Sequence, residues 1–248
     1  MKPDAVPFRA KIRRSSPRMR HAMAKHIDQL LADGLIEPSN SAWASPYFLR
    51  RKKGGGYRGV VDLRGVNEQT EPDTYPMPNQ HDVMDFLAGK CYISALDCRS
   101  GFHQIELDDE SKDCTTFTCS RGSFRWRVMP MGAKNSSAAF QRCITKILRK
   151  FIDVVCVIYI DDILIATKSW KEHVAAMRAI FSALKEAGLA LSRDKCTFCL
   201  PIMKILGHEI SVDGVKPSAD KLRALREFPA PRTKRQVQQF VGMVNCYR

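Results

Sequence analysis

The stretch Val154 to Ala166, VVCVIYIDDILIA, holds eleven apolar residues interrupted by one pair, Asp161-Asp162. Two carboxylates about 4 Å apart repel by roughly 4 kcal/mol at an effective dielectric near 20. A fold rarely keeps such a pair between two buried strands unless a cation neutralises both. The plain alternative is an acidic hairpin turn. Tight two-residue turns, however, favour Asn-Gly or Asp-Gly, because both central positions take positive φ. The run therefore reads as two apolar strands carrying a metal-binding acid pair.

Working outward, the chain has 248 residues, enough for a substantial core, and a formal net charge of +14. A surplus of that size points to a polyanionic partner. Nucleic acid is a better fit than membrane, since the longest uninterrupted apolar run, Val154 to Ile160, is seven residues, far below a spanning helix. The amino terminus, MKPDAVPFRAKIRR, has no apolar signal core, which predicts an intracellular protein, cytoplasmic or nuclear. Nine cysteines without a repeating zinc spacing predict a reducing compartment, and Cys196-Thr197-Phe198-Cys199 is a lone C-x-x-C. The charge is laid out in blocks. Residues 1–58 carry 13 bases against 4 acids, residues 92–120 carry 6 acids against 2 bases, and residues 121–150 carry 8 bases and no acid. An acidic block between two basic ones suggests a metal centre inside a phosphate-binding cleft.

Periodicity places the elements. Ser16-Pro17 reads as cap and first turn of a helix whose apolar positions are Met19, Met23, Ile27, Leu30 and Leu31, closed by Gly34. Trp43 to Leu49 and Tyr57 to Leu63 read as a hairpin with a basic, glycine-rich tip, Lys52-Lys53-Gly54-Gly55-Gly56. A short helix is expected near His81 to Leu87 and a buried strand at Cys91 to Asp97. Further strands are expected at Phe102 to Leu107, Thr115 to Thr118 and Phe124 to Met129. Gly132 to Asn135 leads into a helix with Phe140, Ile144, Ile147, Leu148 and Phe151 on its apolar face. After the Asp-Asp hairpin come a helix from about Trp170 to Ala187, a hairpin over residues 205–215 turning at Asp213-Gly214, and a last helix opened by a Thr233/Gln236 capping box. Strands and helices alternate irregularly and hairpins imply antiparallel pairing, so the class is α+β.

A third acid of the same kind is Asp97, which ends the strand CYISALD. If its strand neighbours the Asp-Asp hairpin, three carboxylates converge at one sheet edge. Magnesium chemistry takes such a set, with few protein oxygens and room left for phosphates and water. Two such ions can serve an in-line phosphoryl displacement. Alternatively, Asp97 is a turn or capping acid.

The run Tyr159-Ile160-Asp161-Asp162 resembles the Tyr-x-Asp-Asp motif of reverse transcriptases. More narrowly, the chain resembles the polymerase domain of gypsy-type LTR retrotransposon Pol polyproteins. The resemblance covers about residues 7–248, through EPSNSAWASP (37–46), YRGVVDLRGVN (57–67), YISALDCRSGFHQIEL (92–107), FRWRVMPMGAKNSSAAFQ (124–141), YIDDILIAT (159–167), LSRDKC (191–196), ILGHEI (205–210) and FPAPRT (228–233), all in the family's order. It implies a right-hand polymerase with an antiparallel palm sheet backed by helices. Fingers would lie at about 1–72 and 105–135, the palm at about 73–104 and 136–213, and the start of a truncated thumb or connection at 214–248.

The resemblance also implies residue roles. Asp97, Asp161 and Asp162, with the backbone carbonyl of Cys98, would hold two Mg²⁺ ions, with Mn²⁺ as an alternative. Arg58 and Lys52 or Lys53 would grip the triphosphate; arginine suits bidentate phosphate contact and lysine acts as a mobile point charge. Phe102 would block a ribonucleotide's 2′-hydroxyl. Met131-Gly132 matches the turn under nucleotide and template, and Lys195 the lysine that protonates the leaving pyrophosphate, although a plain salt bridge suits it equally. Leu206-Gly207-His208 matches the loop that holds the primer end, and His103-Gln104 is read as structural. Many relatives have Tyr at the place of Phe102 and Phe at that of Met131; Arg64-Gly65-Val66 departs from the usual helical segment. Expected partners are an RNA or DNA template with primer and deoxynucleoside triphosphates, with no membrane. The expected activity is RNA-directed DNA polymerisation. The alternatives are a catalytically inactive nucleic-acid-binding remnant and, disfavoured by Phe102, an RNA-templated RNA polymerase.

Overall fold

A computed structural model of the chain describes residues 1–11, 14–51, 55–76, 78–205 and 207–245. In chain order its first elements are α1 (Pro17–Ala32), β1 (Ile36–Pro38), β2 (Ser45–Arg51), β3 (Tyr57–Val61), α2 (Arg64–Glu68), α3 (Gln80–Leu87) and β4 (Tyr92–Asp97). A 3₁₀ turn, Gly101–Gln104, leads to α4 (Asp109–Cys114), β5 (Phe117–Cys119), β6 (Gly122–Trp126) and α5 (Ser136–Leu148). Then come β7 (Cys156–Tyr159), β8 (Asp162–Thr167), α6 (Trp170–Glu186), β9 (Thr197–Leu200) and β10 (Ile202–Ile205). The last are β11 (His208–Ser211), β12 (Gly214–Pro217), α7 (Ala219–Arg226) and α8 (Lys234–Asn245).

The apolar run from Val154 to Ala166 supplies two strands of a four-stranded sheet ordered β7-β8-β4-β9. Its residues are apolar without alternation because both faces are covered. Cys156, Ile158, Ile163 and Ile165 pack with Phe140, Ile144 and Leu148 of α5 and with Ala176, Ile180 and Leu184 of α6. Val157, Leu164 and Ala166 face the other way, onto Val83 and Leu87 of α3 and onto Met203 and Ile210. Those last two belong to a three-stranded meander, β10-β11-β12. Residues 202–217 thus form three strands where a single hairpin over 205–215 was expected. The β11–β12 turn falls on Val212-Asp213, because Ser211 pairs with Gly214.

A five-stranded sheet, β1-β6-β5-β2-β3, carries the other large core. Here α1 lays Met23, Ile27 and Leu30 against Tyr47, Phe117 and Trp126. The Ser16 hydroxyl caps α1 by accepting from the Met19 amide, and the capping box of α8 is formed by Thr233 and Gln236. The β2–β3 hairpin pairs Arg50 with Arg58, whereas β2 and β5 run parallel.

Three strand expectations are corrected. Phe102 to Leu107 is not a strand, because Ser100 takes φ 48° and starts the 3₁₀ turn. There a Cβ on Gly101 would come within 2.8 Å of the Phe140 ring, so the backbone lies directly on α5. Phe124 to Met129 becomes Gly122–Trp126 and Thr115 to Thr118 becomes Phe117–Cys119, since the tight β5–β6 hairpin pairs Cys119 with Gly122. Arg64 to Glu68 is helical despite Gly65.

Candidate active site

Antiparallel pairing of β4 with β8 sets Asp97 directly opposite Asp162. Side chains of such a pair share one face of the sheet, with Cβ atoms about 4.5–5.5 Å apart. Asp162 is also the cross-strand partner of Tyr159, so the two-residue turn between β7 and β8 is Ile160-Asp161 rather than the aspartate pair itself. Positive φ falls on Ile160, at 56°. That is unusual for a β-branched side chain and costs on the order of 1–3 kcal/mol. Gln141, a buried amide on α5, offsets it: its Oε1 accepts from the Ile160 amide at 3.1 Å and its Nε2 donates to the Ile158 carbonyl at 3.4 Å. Asp161 is thereby presented outward, exposed, beside the half-buried Asp162.

The acids are in one another's fields. Burial, then Asp97, raises the pKa of Asp161, while Lys195 opposes the rise. Asp162 is raised by burial, Asp97 and Asp161, again against Lys195. The Cys98 thiol, buried under the same corner, is pushed up to about 12 by burial and then by Asp97 and Asp161. Lys195 meets Asp97 at 3.2 and 3.4 Å. Among the described residues, no three His, Cys, Asp or Glu side chains are grouped so as to hold a metal ion. The donor chemistry nevertheless fits a hard cation: three carboxylates, two of them with pKa values raised by burial and acidic neighbours, at an edge open to water.

The Asp97 carbonyl accepts from the Ser192 amide at 2.8 Å, which seats the 190–196 segment carrying Lys195 beside the acids. Gln104 pins the same segment, donating to Arg99 and Ala190 carbonyls and accepting from the Ala190 amide. Phe102 packs edge-on against Phe140 at 5.6 Å. Across the cleft, Arg58 on β3 directs Nη2 onto the Met131 sulfur at 2.9 Å. Met131 is exposed, and Gly132 beside it takes φ 92°. Arg58, Met131, Gly132, Ser100 and His103 line a cavity of about 590 Å³. Burial lowers the pKa of His103, whose ring lies 5.1 Å from that of Trp126. Gly207 precedes β11, which His208 opens, and the Gly207 carbonyl accepts from the Ser218 amide. Lys52, Lys53 and Leu206 fall outside the described residues.

Residues 50–210 match the family described as Reverse transcriptase (RNA-dependent DNA polymerase). The chain belongs to the reverse transcriptase family. Among curated relatives, the Pol polyprotein of transposon 297 from Drosophila melanogaster is 39% identical over 228 residues, which cover 90% of this chain and 21% of the relative. The gypsy Pol polyprotein of the same fly is 34% identical over 90% of this chain and 22% of the relative. The enzymatic polyprotein of figwort mosaic virus is 35% identical over 92% and 35%. This reverse transcriptase chain therefore spans between a fifth and about a third of those relatives. The foamy viral protease-reverse transcriptase in complex with dsDNA shares its fold, with a TM-score of 0.85 at 24% identity over 98% of this chain and 51% of that one. The same viral protein in complex with an RNA/DNA hybrid gives 0.82 at 24% identity, over 98% and 32%.

Three polar residues that hold backbone around the site were given no role from the sequence. They are Gln141, Asn67 and Asn135. Gln141 had a signal, an amide next to Phe140 on an otherwise apolar helix face. The two asparagines lie inside the quoted stretches YRGVVDLRGVN and FRWRVMPMGAKNSSAAFQ, but nothing in their local spacing marks the bonds they make across the chain. No helix among the described residues is long and apolar enough to cross a membrane.

Proposed function

We propose that this chain is an RNA-directed DNA polymerase unit, adding deoxynucleotides to a primer 3′-hydroxyl on an RNA or DNA template. The observation that carries the proposal is the Asp97–Asp162 cross-strand pair with Asp161 on the adjoining turn, in a member of this family. The five-stranded sheet with α1 is assigned to the fingers, and the four-stranded sheet with α3, α5 and α6 to the palm. Residues 214–248 are assigned to the start of a thumb or connection.

Two Mg²⁺ ions held by the three carboxylates would lower the pKa of the primer hydroxyl and neutralise charge on the departing pyrophosphate. The chain's own residues do the rest. Arg58 and Lys52 or Lys53 hold the triphosphate, and the Met131-Gly132 turn supports the base pair. Phe102, fixed edge-on to Phe140, occupies the space a 2′-hydroxyl would need. Lys195, whose ammonium meets the Asp97 carboxylate, would give a proton to the pyrophosphate oxygen. The long basic blocks at residues 1–58 and 121–150 suit a duplex backbone, in keeping with the foamy viral protein bound to dsDNA and to an RNA/DNA hybrid.

Metal-dependent primer extension by the chain and by Asp161→Asn tests this. The native sequence extends and the variant loses at least a hundredfold in rate. Equal extension by both would remove the acids from catalysis. Salt-sensitive duplex binding with no incorporation by the native chain would make it a binding remnant instead.

A further inference from the structure

The turn that carries Met131 and Gly132 is held from outside by two side-chain amides. Asn67, near the end of α2, donates from Nδ2 to the Gly132 carbonyl at 2.9 Å and accepts at Oδ1 from the Lys134 amide at 2.8 Å. Asn135 works in the opposite direction, donating from Nδ2 to the Glu71 carbonyl at 2.8 Å and accepting at Oδ1 from the Asp73 amide at 3.0 Å. Each amide uses one donor and one acceptor, so its orientation is fixed by chemistry rather than by shape. The Lys134 ammonium adds a fifth bond, to the Thr70 carbonyl at 2.8 Å. The Ser136 hydroxyl closes the base of the turn on the Pro130 carbonyl at 3.0 Å. Segment 67–73 and segment 132–135 are therefore clasped along their whole length by side chains that reach across to backbone.

On its inner side the turn meets Arg58, whose guanidinium rests on the Met131 sulfur. A Cβ added to Gly132 would meet no atom within 4 Å, and the residue takes φ 92°, so no side chain packs over the tip of the turn, and these hydrogen bonds tie its flank. We infer that Asn67 and Asn135 are positioning residues for the incoming nucleotide. They hold the Met131-Gly132 turn, and through Met131 the Arg58 guanidinium, at the height the triphosphate and base require. This rests on the polymerase reading. No atom of either asparagine needs to touch the nucleotide.

The test uses the full chain with primer–template in four forms: native, Asn67→Ala, Asn67→Asp and Asn135→Ala. Asn67→Asp keeps the acceptor for the Lys134 amide but sets an anion against the Gly132 carbonyl. The readouts are kcat and KM for the deoxynucleotide, equilibrium triphosphate binding, primer–template affinity, and hydrogen exchange at the Lys134 and Asp73 amides. Ile180→Val, a core change remote from the clasp, controls for lost stability alone. Asn67→Ala raises KM and weakens triphosphate binding about tenfold, with primer–template affinity held within twofold. Its Lys134 amide exchanges faster, and Asn67→Asp falls between it and the native chain. Asn135→Ala speeds exchange at Asp73 and raises KM in the same direction. Ile180→Val leaves KM unchanged. A native-like KM in Asn67→Ala, in a chain whose native form extends primers, refutes the positioning role and leaves the polymerase reading standing. If the native chain neither extends primers nor binds triphosphate, both fall together. Should Asn67→Ala fail to fold, Asn67→Asp and Asn135→Ala decide the matter by the same KM criterion.

Discussion

Replacing Asp162 by asparagine should make the protein more stable while abolishing its chemistry. Asp162 stands directly opposite Asp97 across the β4–β8 ladder and next to Asp161 on the turn, with Lys195 opposing their effect on it. Like charges directly opposed in a sheet destabilise by up to about 1 kcal/mol per pair. Two acids act on Asp162 and one ammonium offsets part of that, so the net gain expected from Asp162→Asn is about 1 kcal/mol. For a domain of this size that corresponds to a rise in Tm of about 2–4 °C. The pH window follows from the direction of the shift. Because the folded state raises the pKa of Asp162 and Asp161 above 3.8, it binds protons more readily than the unfolded chain there. Stability from these groups is thus greatest in acid and is lost as pH rises through their folded pKa values. The stabilisation by Asp162→Asn should accordingly be full above the raised folded pKa, fade as pH falls through it, and be gone once pH reaches the unfolded value of 3.8. Thermal unfolding of both chains across about pH 3–8 measures it. Magnesium supplies a second arm. At about ten times its dissociation constant a cation stabilises the site it fills by about 1.4 kcal/mol, so Mg²⁺ should raise the native Tm and not that of the variant. A variant less stable than the native chain at neutral pH, or a difference independent of pH, would refute the electrostatic reasoning.

Gln141→Leu removes both hydrogen bonds that hold the Ile160 turn, leaving a buried amide and carbonyl unpaired at about 1–3 kcal/mol of stability. Denaturant unfolding should show that loss, and primer extension should fall more steeply than the lost stability explains. Phe102→Ala should admit ribonucleotides, read as a drop in deoxy-over-ribo preference; unchanged sugar discrimination would relieve Phe102 of that role. His173 is fully buried, with Nε2 2.8 Å from the Ser94 hydroxyl and Nδ1 3.0 Å from that of Thr167. Burial lowers its pKa below 6.5, so stability held at neutral pH is lost as pH falls from 6.5 through the folded value. His173→Asn should flatten that part of the profile measured by thermal unfolding.

How far the sequence reveals the structure depends on whether a residue's neighbours lie close in the chain. The helices at Pro17–Ala32, Ser136–Leu148 and Trp170–Glu186 follow from local spacing and caps, and lie where periodicity puts them. The β7–β8 hairpin follows from its apolar run. What local pattern does not show is which residue takes the turn. Asp161-Asp162 looks like the turn pair, yet Ile160 bears the positive φ because Gln141, nineteen residues earlier, holds its amide. Phe102 to Leu107 has strand composition, but Ser100 and the contact of Gly101 with Phe140 fold it into a 3₁₀ turn. The short strands Ile36–Pro38 and Thr197–Leu200 exist only through distant partners, β6 and β4. The asparagine clasp joins positions more than sixty residues apart, so it leaves no mark on local composition.

Lys195 offsets part of the charge in the acid corner while leaving the corner open. Alone, three acids at one sheet corner would repel one another, and the pKa values of Asp161 and Asp162 are raised first by burial and then by their acidic neighbours. The ammonium at 3.2 Å from Asp97 offsets that repulsion without closing the corner, because the lysine side chain is 65% exposed and tethered by a surface segment. An exposed ion pair is worth at most about 1 kcal/mol. A divalent cation with oxygen ligands can displace it at little cost, whereas a buried arginine in the same place would not yield. Lys195 therefore suits a partner that orients the Asp97 carboxylate and can let it go. Lys195→Ala should then leave Asp97 in place, raise the pKa of Asp161 and Asp162 further, and increase the Mg²⁺ concentration needed for half-maximal extension. If that requirement falls instead, the lysine competes with the cation more than it prepares the site, and its place beside Asp97 would be inhibitory.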